Sequence, residues 1–486
     1  MYSEVASTID RLRRAARANM ALSVATALLL ALVAVQIIYT TRNYYFFSDD
    51  FLNFALEREM GPWPAFFFRD WIGEFIPLFG VFHAVYMRLF GVQFWPFRVS
   101  LVLMQWSLIL MTAWFGHRRR ISPAVVIPAM AILACSPIYG TLFQWYSAAL
   151  QVLCEGMAGL AAIYVMAYRG RLSRGRFLLG SLLYLAAMFC FPKGLFLAAI
   201  LFAVRMHAAF CEPGVTLRGA ALRALDDVWL VAILGIGYAV NVVLGHHVSG
   251  VPHAGLALML NYLWLGWNHG FVTGILGLDQ NFPGHVALAN IAVVGLVAAT
   301  IVRDRRCAIL WCGYAFYFLV ALATIADNRA ATFGLQSATT PRYYADMLNF
   351  FVAVTLIACT PLADTAPRLL TGRGIAAIAV LTVACCAFWI NASTRIPWVW
   401  DRPLRNEVFV QNLKASLAKA APDAKIADAV VPPWVMPPIW WPHTQYRYFL
   451  LLFKHHHGVV VPPGQAQFRF DADGNLVAVA TNAERR

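Results

Sequence analysis

At residues 20–39 the chain reads MALSVATALLLALVAVQIIY, an apolar run of the length that a membrane-spanning helix needs. Four arginines precede it: Arg11, Arg13, Arg14 and Arg17. The run is longer than the core of a signal peptide and lacks a clear small-residue cleavage site, so we expect a retained first span. The arginines before it predict a cytoplasmic N-terminus.

The composition of the whole chain is also that of a membrane protein. Of its 486 residues, 60% are hydrophobic and only 13% are charged, whereas a soluble protein has roughly 25% charged residues. This excludes a soluble globular enzyme, a disulfide scaffold and a disordered protein. The formal net charge of +14 reports membrane topology rather than affinity for nucleic acid, so no nucleic-acid partner is expected.

Ten further apolar runs approach the length of a membrane span. They cover residues 97–116, 122–141, 145–167, 176–191, 194–210, 226–245, 286–303, 307–326, 346–363 and 374–391. With the first run they predict about 11 transmembrane helices and a C-terminus outside the cytoplasm. The predicted inner segments then hold 19 basic residues and the short outer loops only three, Lys193, Arg329 and Arg342. This distribution obeys the positive-inside rule.

Loop charge also decides how two ambiguous segments are interpreted. Counting residues 76–91 as a span would place every later basic loop outside, so we predict an amphipathic helix in the outer interface. Residues 256–278 receive the same interpretation.

The predicted fold is thus an all-α polytopic membrane protein with a small C-terminal extension. Residues 1–391 form the transmembrane domain, and its first external loop covers residues 42–96. Residues 392–486 are predicted to form a small extracytoplasmic α/β domain. It contains a helix near residues 405–420 and a hairpin at residues 468–479 with Asp473-Gly474 at its turn.

Two adjacent carboxylates, Asp49 and Asp50, lie a few residues beyond the first span. Such a pair can remove a proton from an acceptor hydroxyl or hold a cation. Each carboxylate also raises the pKa of its neighbour, which makes a base more effective near neutral pH. On the residues alone, a solvated loop or an N-cap for a helix starting at Phe51 explains the pair equally well.

The order of motifs around this pair resembles the GT-C superfamily of membrane glycosyltransferases. The resemblance is to enzymes that use polyprenyl-phosphate sugars, such as the protein O-mannosyltransferases and the lipid A aminoarabinose transferases. The matching residues are Asp49-Asp50, then Glu74-Phe75-Ile76-Pro77-Leu78, Leu89-Phe90-Gly91, Arg98 and His117-Arg118-Arg119-Arg120. Order and spacing agree over residues 20–120. The sequence departs from the family at Phe75-Ile76, where a basic residue and a first proline often stand.

The resemblance implies a GT-C-like fold and an inverting transfer with Asp49 or Asp50 as general base. The donor would be a polyprenyl-phosphate-linked sugar that enters from the lipid bilayer. The acceptor would be an extracytoplasmic glycan, lipid or protein of the cell envelope. The resemblance also implies a bacterial cytoplasmic (inner) membrane protein. No metal site is predicted, although relatives differ in metal dependence and a divalent cation stays open as a cofactor.

Three outer cations are candidates to bind the donor phosphate. Lys193 follows Phe191-Pro192 in a turn between two spans, Arg342 opens a late span, and Arg98 opens the second span. A cation there would stabilise the charge that develops on the leaving phosphate. The alternative for each is an interfacial residue that reaches toward lipid headgroups.

Five further residues are candidates to bind the acceptor or the sugar. Glu74 and Asp70 lie where the interfacial helix begins, although helix capping explains them as well. Gln144, Trp145 and Tyr146 lie at the outer end of the fourth span and are candidates to line a sugar site, while an aromatic belt is the simpler explanation.

Other classes of protein remain open. A transporter or flippase of lipid-linked sugars usually has ionisable residues at mid-membrane, and only Glu155 lies clearly within a predicted span. An O-antigen ligase or polymerase uses a large late external loop that carries Arg and His. The segment 246–285 has five histidines but no arginine. A non-catalytic member that binds lipid is the third alternative.

Overall fold

The computed structural model describes residues 2–60, 67–69, 74–245, 253–361, 382, 384–390, 403–438, 441–453 and 458–479, with side chains from Met20 onward. The helices are α1 Tyr2–Thr41, α2 Asp49–Met60, α3 Pro77–Phe90, α4 Trp95–Arg118, α5 Pro123–Cys135, α6 Tyr146–Met166, α7 Arg174–Cys190, α8 Leu197–Phe210, α9 Leu217–Gly245, α10 Leu256–Leu265, α11 Thr273–Leu276, α12 Pro283–Arg303, α13 Cys307–Phe333, α14 Ala345–Ala358, α15 Pro403–Lys419 and α16 Tyr446–Phe449. A π-helix, Gly266–Val272, joins α10 to α11.

The structure is that of a multi-pass membrane protein. Within the described residues, seven helices are long and apolar enough to cross a membrane. Ten of the eleven predicted spans coincide with helices, but α5, α7 and α14 are shorter, with 13, 17 and 14 residues. The eleventh, 374–391, lies largely outside the described residues, so the predicted count of eleven stays a prediction.

The bundle buries its centre and exposes apolar side chains at its periphery. Every residue of α14 is buried, and α14 packs against α6. Gly156 and Gly159 of α6 permit this approach, because a Cβ at either position would lie 2.2 Å from Asn349 or 2.6 Å from Phe350. By contrast, α12 buries only Ala289, Val293 and Thr300, as expected for a helix that faces lipid.

The helix predicted at residues 76–91 is present as α3, and its position at the membrane interface stays a prediction. Pro77 occupies its first turn, where its fixed φ suits a helix. Gly91 ends it at φ 59°, a left-handed conformation that glycine adopts without steric cost. Tyr238 of α9 donates to the Phe75 carbonyl (2.8 Å) and so ties the start of α3 to the bundle.

The C-terminal segment docks on the end of the bundle that carries α2. Its four-stranded sheet has the order β2-β1-β3-β4, with β1 Lys425–Ala427, β2 Val459–Val461, β3 Phe468–Phe470 and β4 Leu476–Ala478. The predicted hairpin is confirmed, because β3 and β4 pair antiparallel and Gly474 lies between them at φ 87°. Asn406 of α15 donates to the Phe46 carbonyl (3.0 Å), which fixes the segment beside α2.

At the opposite end of the bundle, Arg205 of α8 is fully buried. Its guanidinium pairs with Asp227 of α9 (2.6 Å) and donates to the carbonyls of Met166, Tyr168 and Gly170. Arg205 therefore joins α8, α9 and the loop between α6 and α7.

Replacing Arg205 tests this junction. Arg205→Ala leaves the Asp227 carboxylate without its buried partner, so we expect a loss of about 3 kcal/mol in the free energy of unfolding. The exposed pair Arg223–Glu212 supplies the matched control, since Arg223→Ala should cost at most about 1 kcal/mol. Thermal unfolding in detergent measures both variants. Equal melting temperatures for the two would contradict the assignment.

Candidate functional site

The two acids lie in the first turn of α2, after a strained turn. Ser48 has φ 53°, an uncommon conformation for a residue with a side chain. Its amide donates to the Val435 carbonyl of the C-terminal segment (2.9 Å). The C-terminal segment thus helps to set where α2 begins and where its acids point.

Asp50 is fully buried and holds α2 against α6. One carboxylate oxygen, Oδ1, accepts hydrogen bonds from the Ser147 amide (2.9 Å) and hydroxyl (2.7 Å), and Oδ2 accepts from the Phe47 amide (3.3 Å). Ser147 lies in the first turn of α6, where helix amides favour an anion. Burial nevertheless raises the pKa of Asp50 well above its ordinary value, and the charge of Asp49 adds to the shift.

Asp49 is the partly exposed member of the pair. Its Oδ1 accepts a hydrogen bond from the indole Nε1 of Trp145 (2.7 Å). Burial raises the pKa of Asp49 to about 6, while the Trp145 hydrogen bond and the charges of Arg342 and Arg329 oppose that rise. A carboxyl group with this pKa can take up and release a proton near neutral pH.

Arg342 reaches the acid pair through Trp145. Its guanidinium lies 4.1 Å from the centre of a Trp145 ring, a cation–π contact on the same indole that donates to Asp49. Arg342 belongs to the 3-10 turn Pro341–Tyr344 that precedes α14. The exposed Arg329 near the end of α13 contributes a second positive charge at Asp49.

Lys193 lies in the interior rather than facing outward. Its ammonium pairs with Asp346 (2.5 Å) and donates to the Tyr343 carbonyl (3.0 Å). The hydroxyl of Tyr317 donates to the other carboxylate oxygen of Asp346. These contacts fix the turn that carries Arg342, so Lys193 is connected to the acid pair through the backbone of Tyr343.

Arg98 lies apart from this assembly. Its guanidinium donates to the Thr41 carbonyl at the end of α1 (2.9 Å) and lies 5.1 Å from the centre of the Phe94 ring. The contact ties the C-terminal end of α1 to the N-terminal end of α4.

The remaining candidates divide between the site and its surroundings. Trp145 contacts Asp49, whereas Tyr146 is buried among the rings of Phe46, Tyr86 and Phe97. Gln144 is also buried. Glu74 is partly exposed, and its charge interacts electrostatically with the side chain of Tyr238 in α9. Asp70 lies outside the described residues.

The acid pair offers a divalent cation a poor site. Both Asp50 oxygens accept hydrogen bonds, and in the described part of the chain no third His, Cys, Asp or Glu groups with the pair at ligand distance. The residues present at the acid pair therefore do not fit a bound divalent cation.

Two contributors were missed at the sequence level. Arg329 is one of only three cations in the predicted short outer loops. The scarcity of cations there could have pointed to Arg329 as a charge that acts on Asp49. Asp346 follows Arg342 by four residues in an apolar segment. An ionisable residue inside such a segment points to a partner, which the structure identifies as Lys193.

Comparisons with known protein families and with curated proteins find no match. Among solved structures, the chain is similar to the cryo-EM structure of the arabinofuranosyltransferase AftD from Mycobacteria. The identity is 15% and the TM-score is 0.44, over 91% of this chain and 31% of that chain. The chain therefore spans less than a third of AftD, and a likeness at this level carries no argument about activity.

The Trp145 hydrogen bond can be tested by one substitution. Trp145→Phe keeps a ring under Arg342 but removes the N–H donor that favours the ionised carboxylate, so the pKa of Asp49 should rise above about 6. Infrared difference titration against Asp49→Asn measures the carboxyl band. Trp114→Phe, at an exposed position on α4, should leave the titration unchanged. An unshifted Asp49 in Trp145→Phe would show that the bond has no electrostatic effect.

Proposed function

We infer that the chain is an integral-membrane glycosyltransferase that moves a sugar from a polyprenyl-phosphate donor to an extracytoplasmic acceptor hydroxyl. One observation carries this conclusion: the partly exposed Asp49 accepts a hydrogen bond from Trp145, whose ring lies 4.1 Å from the Arg342 guanidinium, at one end of an apolar helix bundle. A donor with a polyprenyl tail stays in the bilayer. The catalytic base and the side chains that bind the donor phosphate must therefore both lie at the membrane surface.

In the proposed reaction Asp49 removes the proton from the acceptor hydroxyl. The acceptor oxygen then attacks the anomeric carbon, and the bond from that carbon to the phosphate oxygen breaks with inversion. The bonding electrons leave with the polyprenyl phosphate. Arg342 and Arg329 stabilise the negative charge on this leaving group.

Asp50 and Lys193 take positioning roles in this proposal. Asp50 is buried and uses both oxygens to hold α2 on α6. Lys193 is 5% exposed and its ammonium already binds Asp346 and Tyr343, so a donor phosphate would have to displace those partners. Arg342 and Arg329, whose charges act on Asp49, are proposed as the phosphate ligands in place of Lys193 and Arg98.

A transporter of lipid-linked sugars is the second candidate, because the buried Glu155 carboxyl lies within electrostatic reach of Lys193 and Asp346. Ionisable clusters inside a bundle are typical of transporters. A fluorescent polyprenyl-phosphate sugar in proteoliposomes separates the two functions. A transporter accelerates its movement between leaflets with or without Asp49, whereas a transferase leaves that rate unchanged.

Substitution of the proposed base tests the function directly. The gene is deleted in its host, and mass spectrometry of envelope glycans and glycoproteins identifies the missing sugar. Asp49→Asn cannot accept a proton, so it should restore transfer at a rate about 100-fold or more below wild type. Glu59→Gln, an exposed acid on the same helix, should restore it fully.

The folded state of each variant is checked by its elution in detergent and its melting temperature. Wild-type transfer by a folded Asp49→Asn protein would remove Asp49 from the reaction. A deletion that leaves every envelope sugar in place would overturn the proposed function itself.

The pH dependence of transfer supplies an independent check. The base works in its ionised form, so the rate should rise with pH through about 6 and level off above it. Trp145→Phe, which raises the pKa of Asp49, should shift this rise to higher pH. The initial rate of sugar transfer in detergent, measured between acid and neutral pH, follows the change. A rate that falls over this range would contradict a carboxylate base.

A further inference from the structure

A second cluster of chemically reactive side chains lies at the opposite end of the bundle from the acid pair. His207 and Cys211 stand four residues apart at the end of α8. Asp304 and Cys307 stand three residues apart in the turn between α12 and α13. In that turn the Cys307 amide donates to the Asp304 carbonyl (2.9 Å), which places both side chains on the same side. Two segments distant in sequence thus each contribute a pair.

Three of these side chains lie close enough together to share a metal ion, and the fourth, Cys211, lies next to one of them. Ligand atoms of His207, Asp304 and Cys307 all lie within 4.8 Å of one another. The Cys211 sulfur lies 3.6 Å from His207 Nε2. In a tetrahedral zinc site, with Zn–N of about 2.0 Å and Zn–S of about 2.3 Å, a nitrogen and a sulfur are about 3.5 Å apart.

The Asp304 carboxylate supplies an independent observation. Its Oδ1 accepts a hydrogen bond from the Arg306 amide (3.1 Å). Its Oδ2 is buried and has no hydrogen-bond partner among the described residues. A buried carboxylate oxygen left without a partner is costly. A cation bound between Asp304, His207 and Cys307 removes that cost.

The space at the cluster fits one ion. The four side chains line a cavity of about 20 Å³, which is room for a single water molecule or ion. Since His207 and Cys307 are buried, a bound ion would be largely shielded from water.

Four arginines surround the cluster. Arg119, Arg169 and Arg303 line the cavity, and Arg306 hydrogen-bonds Cys211. These positive charges offset the negative charge that remains when two thiolates and one carboxylate surround a divalent ion. Imidazole and thiolate ligands select zinc over magnesium or calcium.

We propose that His207, Cys211, Asp304 and Cys307 form a zinc site that joins the end of α8 to the turn between α12 and α13. In this proposal Cys211 supplies the fourth ligand beside His207, and four protein ligands are typical of structural rather than catalytic zinc sites. The site is independent of sugar transfer, because it stands at the other end of the bundle from Asp49.

The test uses the full-length chain, purified in detergent without chelator and with its affinity tag removed. Mass spectrometry for metals should find about one zinc ion per chain. Replacement by cobalt should give an absorption band from thiolate-to-metal charge transfer, which histidines alone do not give. Cys211→Ser and Cys307→Ser should each weaken that band, and His207→Ala should reduce the zinc content.

Two control variants keep the test specific. Cys312→Ser changes an exposed cysteine of the same helix as Cys307 and should retain both zinc and the cobalt band. Alanines at His455, His456 and His457, a histidine run in the C-terminal segment, should also leave the band unchanged. A chelator should lower the melting temperature of the wild-type protein and leave that of folded Cys211→Ser unchanged.

Two results would overturn the proposal. One is a folded wild-type protein that contains no zinc and gives no thiolate band with cobalt. The other is a band that survives in both Cys211→Ser and Cys307→Ser, because it would place the metal at other residues.

Discussion

The site depends on the free energy of placing two adjacent carboxylates at the edge of an apolar helix bundle. Burial opposes ionisation of both, and the surroundings counter it differently for each. Asp50 receives the Ser147 amide and hydroxyl at the first turn of α6. Asp49 receives one indole N–H and the charges of two arginines. This asymmetry leaves Asp49 partly exposed and able to exchange a proton, while Asp50 fixes the helix that presents it.

The position of Arg342 depends on a buried ion pair, Lys193–Asp346. Arg342 can contact Trp145 only if the turn at Pro341–Tyr344 keeps its position. Lys193 binds that turn through the Tyr343 carbonyl and anchors it to Asp346. Removing one partner of such a pair leaves an uncompensated buried charge. The Lys193–Asp346 pair therefore makes the location of Arg342 a property of the packed bundle rather than of a loose loop.

Much of the fold could be predicted from the sequence, because span length and loop charge are local properties. The apolar runs located ten helices, and the charge of Arg118–Arg120 was the reason for predicting that α3 lies outside the spans. Asp49 and Trp145 were candidates, but their contact joins residues 96 positions apart, and no sequence pattern encodes it. Lys193 looked like an outer cation because its partner, Asp346, lies 153 positions away. The four residues His207, Cys211, Asp304 and Cys307 escaped notice since their two pairs meet only after α8 packs on α13.

The most direct measurement is a cryo-EM structure of the protein with a bound, non-hydrolysable polyprenyl-phosphate sugar. We expect the phosphate within hydrogen-bond distance of Arg342, the anomeric carbon facing Asp49, and the polyprenyl chain passing out between helices into the bilayer. A phosphate bound at the opposite end of the bundle, or a sugar that lies away from Asp49 with Lys193 as its phosphate ligand, would contradict this arrangement of base and cation.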